Sequence, residues 1–150
     1  MVELKLIKLL DENKNRLADG CLLPDGQVAI AWLGEHKTHG TYPSLESFQS
    51  IQAKIPGRAI EDYESDYTEQ CLGLDTYTFK LLRDDDVTGV SGEGVVAVGC
   101  DFPGNGCVLQ WTGEIKSTFW YPSLETVKKL HGHDGKTRIV VDKTGDLNAS

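Results

Sequence analysis

Residues 20–51, GCLLPDGQVAIAWLGEHKTHGTYPSLESFQSI, and residues 99–130, GCDFPGNGCVLQWTGEIKSTFWYPSLETVKKL, are one stretch of sequence written twice. A shift of 79 residues aligns them without a gap, and twelve of the 32 pairs are identical. The shared residues include Gly20/Gly99, Cys21/Cys100, Pro24/Pro103, Trp32/Trp111, Glu35/Glu114, Lys37/Lys116 and the run Tyr-Pro-Ser-Leu-Glu at 42–46 and 121–125. Self-similarity at a fixed offset marks a repeated structural unit, and it is read before any local propensity. Upstream, Lys8-Leu9-Leu10 echoes Lys80-Leu81-Leu82, with a longer loop expected after the second copy's first strand.

Each copy spells the same series of elements. Alternating apolar residues predict a first strand through Leu4–Leu10 and Tyr77–Leu81, and a second through Arg16–Leu23 and Gly94–Phe102. Pro24-Asp25-Gly26 and Pro103-Gly104-Asn105-Gly106 are turn chemistry, since Pro presets φ and Gly or Asn accepts positive φ. A third strand ends at Trp32 or Trp111, and a short fourth ends at Tyr42 or Tyr121. A helix then starts at Pro-Ser, Pro being favoured in a first turn and Ser at an N-cap. Its apolar stripe is expected at Leu45, Phe48 and Ile51, and at Leu124, Val127 and Leu130. The second copy alone is expected to add a last strand, Thr137–Val141. The fold class is therefore α+β: two tandem copies of an antiparallel β-meander plus one helix, with no Rossmann or bundle features. Copies this small are expected to pack about a pseudo-two-fold axis, with equivalent residues lining a cleft.

The domains expected are 1–52, an acidic connector at 53–75, and 76–150. The connector should be exposed and partly irregular, with Ile60, Tyr63 and Tyr67 able to anchor a helical turn. It holds six acids and two bases, half of the chain's net charge of −8. An acidic chain makes a poor sequence-independent DNA binder, because that affinity comes from neutralising phosphates. No run approaches the roughly 18 apolar residues of a membrane helix, and charged Glu3, Lys5 and Lys8 argue against a signal peptide. The expectation is a protein of the cytoplasm. Cys21, Cys71, Cys100 and Cys107 lack any CxxC spacing and read as reduced, mostly apolar fillers.

The second copy also carries a wider pattern: Gly94-Val95-Val96-Ala97-x-Gly99, Leu109-x-Trp111-x-Gly113, Ser117-Thr118, Ser123-Leu124 and His131-Gly132-His133-x-Gly135-x-Thr137-Arg138. It resembles a widespread family of small phage and prophage proteins, most of them uncharacterised, over about 50 residues. The first copy lacks Gly-Val-Val-Ala and the His-Gly-His ending. The resemblance implies an accessory gene of a virus or mobile element, acting in the host cytoplasm. Small proteins of that kind counter host defences by inhibiting a defence protein or by sequestering a nucleotide immune signal.

Several residues could carry such binding. Trp32 and Trp111 are either hairpin anchors or two faces that stack a planar ligand. Glu35/Glu114 and Lys37/Lys116 are either solvated hairpin tips, neutralising one another, or groups converging on an anion and a base. In the run Phe119-Trp120-Tyr121, alternation sends Trp120 outward if its neighbours face the core. His131, His133 and Arg138 sit within eight residues on glycine-rich backbone, as a helix-ending turn or as a phosphate cradle. No recognised ligand spacing completes a metal site around His131-x-His133. Asp84-Asp85-Asp86 reads as a solvated turn, and Gly92-Glu93-Gly94 is too short to carry weight. With no nucleophile elbow, P-loop or zincin motif, no catalytic residue, metal or cofactor is expected.

The leading expectation is a non-catalytic binder of a small anionic nucleotide-like ligand, working as a monomer or homo-oligomer. The alternatives are an inhibitor of a host defence protein, through the acidic connector and exposed aromatics, and a nucleotide hydrolase using His131 and His133.

Overall fold

A computed structural model describes residues 4–63, 76–83, 94–131 and 137–141. The chain forms two compact units, 1–65 and 66–150. No described helix is long and apolar enough to cross a membrane. Asp84-Asp85-Asp86, Tyr67, Cys71 and His133 lie outside the described residues.

The first unit runs β1 (Lys5–Leu10), β2 (Arg16–Leu22), β3 (Val28–Trp32), β4 (His39–Tyr42), α1 (Leu45–Gln52) and β5 (Ala59–Tyr63). The second runs β6 (Tyr77–Arg83), β7 (Val95–Phe102), β8 (Gly106–Trp111), β9 (Thr118–Tyr121), α2 (Leu124–His131) and β10 (Thr137–Val141). Each unit is one five-stranded antiparallel sheet with one helix, the α+β architecture expected from the repeat. The strand orders are β4-β3-β2-β1-β5 and β9-β8-β7-β6-β10. Four strands meander, the helix follows, and the fifth strand returns to pair with the first.

The likeness extends to irregularities. Both sheets break register at the same place, between Leu9 and Leu10 and between Leu81 and Leu82. The residue left over, Leu17 or Val96, offers its carbonyl to the backbone N–H of Leu33 or Thr112 at 3.0 and 3.1 Å. An inherited bulge of this kind adds local twist and ends a ladder in a fixed way. The shared glycines have an equally direct cause. A Cβ on Gly20 would lie 2.7 Å from Ile30 Cδ1 and 2.9 Å from Ile7 Cγ1. On Gly99 it would lie 2.8 Å from Phe79 Cζ and only 2.3 Å from the Val108 carbonyl oxygen.

Three expectations are corrected. The segment 59–63 is neither irregular nor a helical turn: it is β5, paired with β1 in the register Leu6↔Tyr63 to Leu10↔Ala59. A last strand therefore occurs in both copies, and the 79-residue offset runs on through Ile60 and Ile139. The acidic Ala-Ile-Glu-Asp-Tyr lacks an apolar run because an edge strand exposes most of its side chains. Second, Ser44 is the N-cap of α1 and accepts from the Ser47 N–H at 3.1 Å, so Pro43 stands outside the helix. Third, only Phe48 and Val127 of the predicted stripes are fully buried, whereas Ile51 and Leu130 are 45% and 60% exposed. Two turns of helix reach the sheet through one fully buried residue, with Leu45 or Leu124 packed partly buried beside it. Gln52, buried at the end of α1, takes its place in the packing and accepts a hydrogen bond from Arg58 Nη1 at 2.6 Å.

The helix-side cores are Ile7, Leu9, Ala18, Val28, Ile30 and Phe48 in one unit. In the other they are Tyr77, Phe79, Leu81, Ala97, Cys107, Leu109 and Val127. The opposite faces are buried too, through Cys21, Ala29 and Ala31 in the first sheet and Val98, Cys100, Val108 and Gln110 in the second.

Candidate functional site

The two retained hairpins have the same closure. Trp32 N–H donates to the Thr38 carbonyl at 2.8 Å, and Trp111 N–H to the Ser117 carbonyl at 2.9 Å. Both tryptophans are half-buried and pack on the helix-side cores, so they anchor their hairpins. Glu35, Lys37, Glu114 and Lys116 stand exposed on the loops beyond them. Among the described residues, no ion pair joins glutamate to lysine in either tip.

The second unit assembles a cluster around His131, the last residue of α2. Its Nε2 lies 2.9 Å from the Tyr121 hydroxyl oxygen, and its ring stands edge-on to Trp111 and Tyr121, with centroids 4.9 and 5.6 Å away. The first unit solves the same packing problem otherwise. Phe48 stands against Tyr42 at 4.9 Å, with Gln52 at the position equivalent to His131. Val127 replaces Phe48 in the second copy, so a smaller helix residue is accompanied by a larger ring one turn later.

A row of polar side chains crosses the second sheet to this cluster. The register places Tyr77, Asp101, Cys107 and Tyr121 side by side on successive strands. Burial raises the Asp101 carboxyl above the ordinary carboxylate range, while the Tyr77 hydroxyl pulls it partly back. Burial also drives the Cys107 thiol upward, and neighbouring Asp101 adds to the effect. Tyr121 is raised by burial and then by Cys107. Asp101, Cys107 and Tyr121 are thereby biased towards their protonated forms.

The remaining predicted residues are placed differently from expectation. Phe119 and Tyr121 do share the helix side, with Trp120 on the other. Yet Trp120 is partly covered, stacked on buried Phe102 at 5.9 Å and 27°, and Phe119 is the open ring, 52% exposed. Alternation gives the parity of side chains but not which face is covered. Arg138 pairs with Leu82 on β10. Its neighbour Ile139 packs into the helix-side core, so strand alternation turns Arg138 to the opposite face, away from His131. The cradle of His131 with Arg138 is therefore not assembled.

Sequence reasoning missed Phe119 as the open ring, and Tyr77, Asp101, Cys107 and Tyr121 as a set. Their only common signal is register, which requires the strand pairing. It also missed a partly buried group in the first unit. There the Arg16 guanidinium lies 4.2 Å from the Tyr63 ring centroid, and its Nε donates to Asp19 Oδ1. Lys8 Nζ lies 5.9 Å from the same ring. Among the described residues, no group of three or more His, Cys, Asp or Glu is placed to hold a metal ion.

Comparison with known proteins adds one finding. The sequence model of the family described as Acb5 phage protein matches residues 14–61 and 76–143, thus both copies. No curated protein and no solved structure matches the chain.

Proposed function

Because the chain belongs to the Acb5 phage protein family, we propose that it serves a phage against a host defence by holding a small nucleotide signal without altering it. The observation that carries this reading is the family match over both copies. Its support from the residues is chemical. Planar bases stack on protein aromatics, and phosphates are drawn to lysine. The chain presents half-buried Trp111, open Phe119 and the exposed lysines Lys37 and Lys116.

The test incubates the pure protein with a panel of cyclic and linear nucleotides, washes it, denatures it by heat and identifies what is released by mass spectrometry. The expected result is an intact nucleotide that appears only after denaturation. A chemically altered nucleotide would instead make the protein a hydrolase, and no release of any kind would overturn the reading.

One observation favours a second reading, inhibition of a host defence protein. Glu61 and Asp62 are exposed on edge strand β5, where a basic partner could meet them. Charge reversal at both positions would abolish such inhibition and leave nucleotide binding untouched.

A further inference from the structure

Strand pairing lines up one residue from each strand on the sheet face opposite the helix. In the first unit this row is Glu61, Lys8, Asp19, Ala31 and His39. In the second it is Val140, Lys80, Val98, Gln110 and Thr118. Alternation fixes the face, because the chain neighbours Ile7, Leu9, Ala18 and Ile60 in one unit, and Phe79, Leu81, Ala97 and Ile139 in the other, pack into the helix-side cores. Of the five positions only the lysine is the same in both copies, and it is half-buried in each. Lysine is depleted in strands, so its retention where every other member of the row has changed points to its charge.

What surrounds that charge differs between the copies. Lys8 stands in register between two carboxylates, exposed Glu61 and buried Asp19. The arginine on the same face, Arg16, has its Nε on Asp19 Oδ1 and its guanidinium against the Tyr63 ring. Lys80 stands in register between Val98 and Val140 instead. Arg138 pairs with Leu82, two residues from Lys80. That makes it the diagonal neighbour of Lys80 on the next strand, about 7–8 Å away and within reach of a long side chain. It also shares the face of Lys80, since Ile139 beside it packs on the helix side. Neither cation is without a contact of its own in the chain; what the second copy has exchanged for valine is the pair of carboxylates flanking its lysine. Like charges close together on a half-buried face repel, a cost that an incoming anion removes. Fully buried Gln110, which donates to Thr118 Oγ1 at 2.9 Å, continues the row with polar groups.

We infer that the second copy carries an anion site on the sheet face opposite α2, where Lys80 and Arg138 together hold a phosphate group. A compact ammonium beside a planar guanidinium suits the several oxygens of a phosphate. This rests on the nucleotide-binding reading and moves its phosphate from the exposed hairpin lysines to half-buried strand residues, where charges are screened less.

The experiment measures binding of inorganic pyrophosphate, ATP and 3′,3′-cyclic di-AMP to the full chain and to five variants by calorimetry. K80M and R138M each remove one charge and keep a long apolar side chain among the valines. V140E installs the carboxylate that the first copy carries at the equivalent position, on an edge strand in both units. K8M and K116A are the controls, altering the first copy's row and the second copy's hairpin tip. Circular dichroism checks that each variant is folded. K80M and R138M are expected to weaken binding roughly tenfold to a hundredfold, the range of one charge-assisted hydrogen bond, and to flatten its salt dependence. V140E is expected to weaken it as well, with K8M and K116A within about twofold of the parent. Unchanged affinity in K80M and R138M, or a loss confined to K8M or K116A, would overturn the site while leaving nucleotide binding in place. A parent protein that binds none of the three probes would overturn the underlying reading as well.

Discussion

Replacing Gly99 with alanine tests the account of the duplicated sheets most directly. The added Cβ would lie 2.3 Å from the Val108 carbonyl oxygen, 2.8 Å from Phe79 Cζ and 3.2 Å from Leu109 Cδ1. Phe79 and Leu109 could rotate aside at some cost. The carbonyl belongs to β8, paired with β7 on either side of this point, so it moves only if the ladder moves. Overpacking of a close-packed interior costs about 1–3 kcal/mol, and a backbone obstacle puts this site at the upper end. Loss of glycine's freedom in the unfolded chain returns about 0.4–1 kcal/mol. The net is a destabilisation of about 2 kcal/mol. At about 2–4 °C per kcal/mol for a chain of this size, the midpoint falls by roughly 4–8 °C. Gly20→Ala meets side-chain atoms alone, the Cδ1 of Ile30 and the Cγ1 and Cδ1 of Ile7, so it should cost less than Gly99→Ala, about 1 kcal/mol. Gly113→Ala meets nothing within 4 Å and should be close to neutral. Urea melts followed by far-UV circular dichroism and tryptophan fluorescence rank the three. A Gly99→Ala protein as stable as the parent, or more stable than Gly20→Ala, would refute the argument.

Three other outcomes follow from groups already described. Asp101 has a folded-state affinity for its proton raised by burial, so its contribution is complete below the unfolded carboxylate range and is lost as pH rises through the folded value. Asp101→Asn should therefore stabilise the protein at neutral pH and flatten its stability profile above the acid range, as measured by urea melts across pH. Cys21, Cys100 and Cys107 are buried, and burial suppresses the Cys107 thiolate. Alkylation with iodoacetamide at neutral pH, read by mass spectrometry, should mark these three only after unfolding. Ser44→Ala removes the acceptor of the Ser47 N–H and should cost about 1 kcal/mol, the usual worth of an N-cap; a melt unchanged within error would show that Ser47 finds another partner.

Much of the fold was legible in the residues themselves. The turns, the tryptophan hairpins and the Ser caps all have local signatures, and the duplication let each copy check the other. The fifth strand of the first unit was not legible. Glu61 and Asp62 break any apolar alternation, and the segment becomes a strand only because β1 offers it an unpaired edge. The site was less legible still. Trp111, Lys116 and His131 could be named from sequence, but the polar row depends on which residue faces which across three strand pairs.

The sequence by itself determined that this protein is built twice, from strands and a helix set in the same order, because turn, cap and pattern signals act over a few residues. Only the tertiary structure decided that Trp120 is covered by Phe102 while Phe119 lies open, that Arg138 and His131 face apart, and that Asp101 is buried between Tyr77 and Cys107. Burial and strand register are properties of neighbours brought together from distant parts of the chain. The same residue pattern is compatible with either face of a sheet being covered until those neighbours are in place.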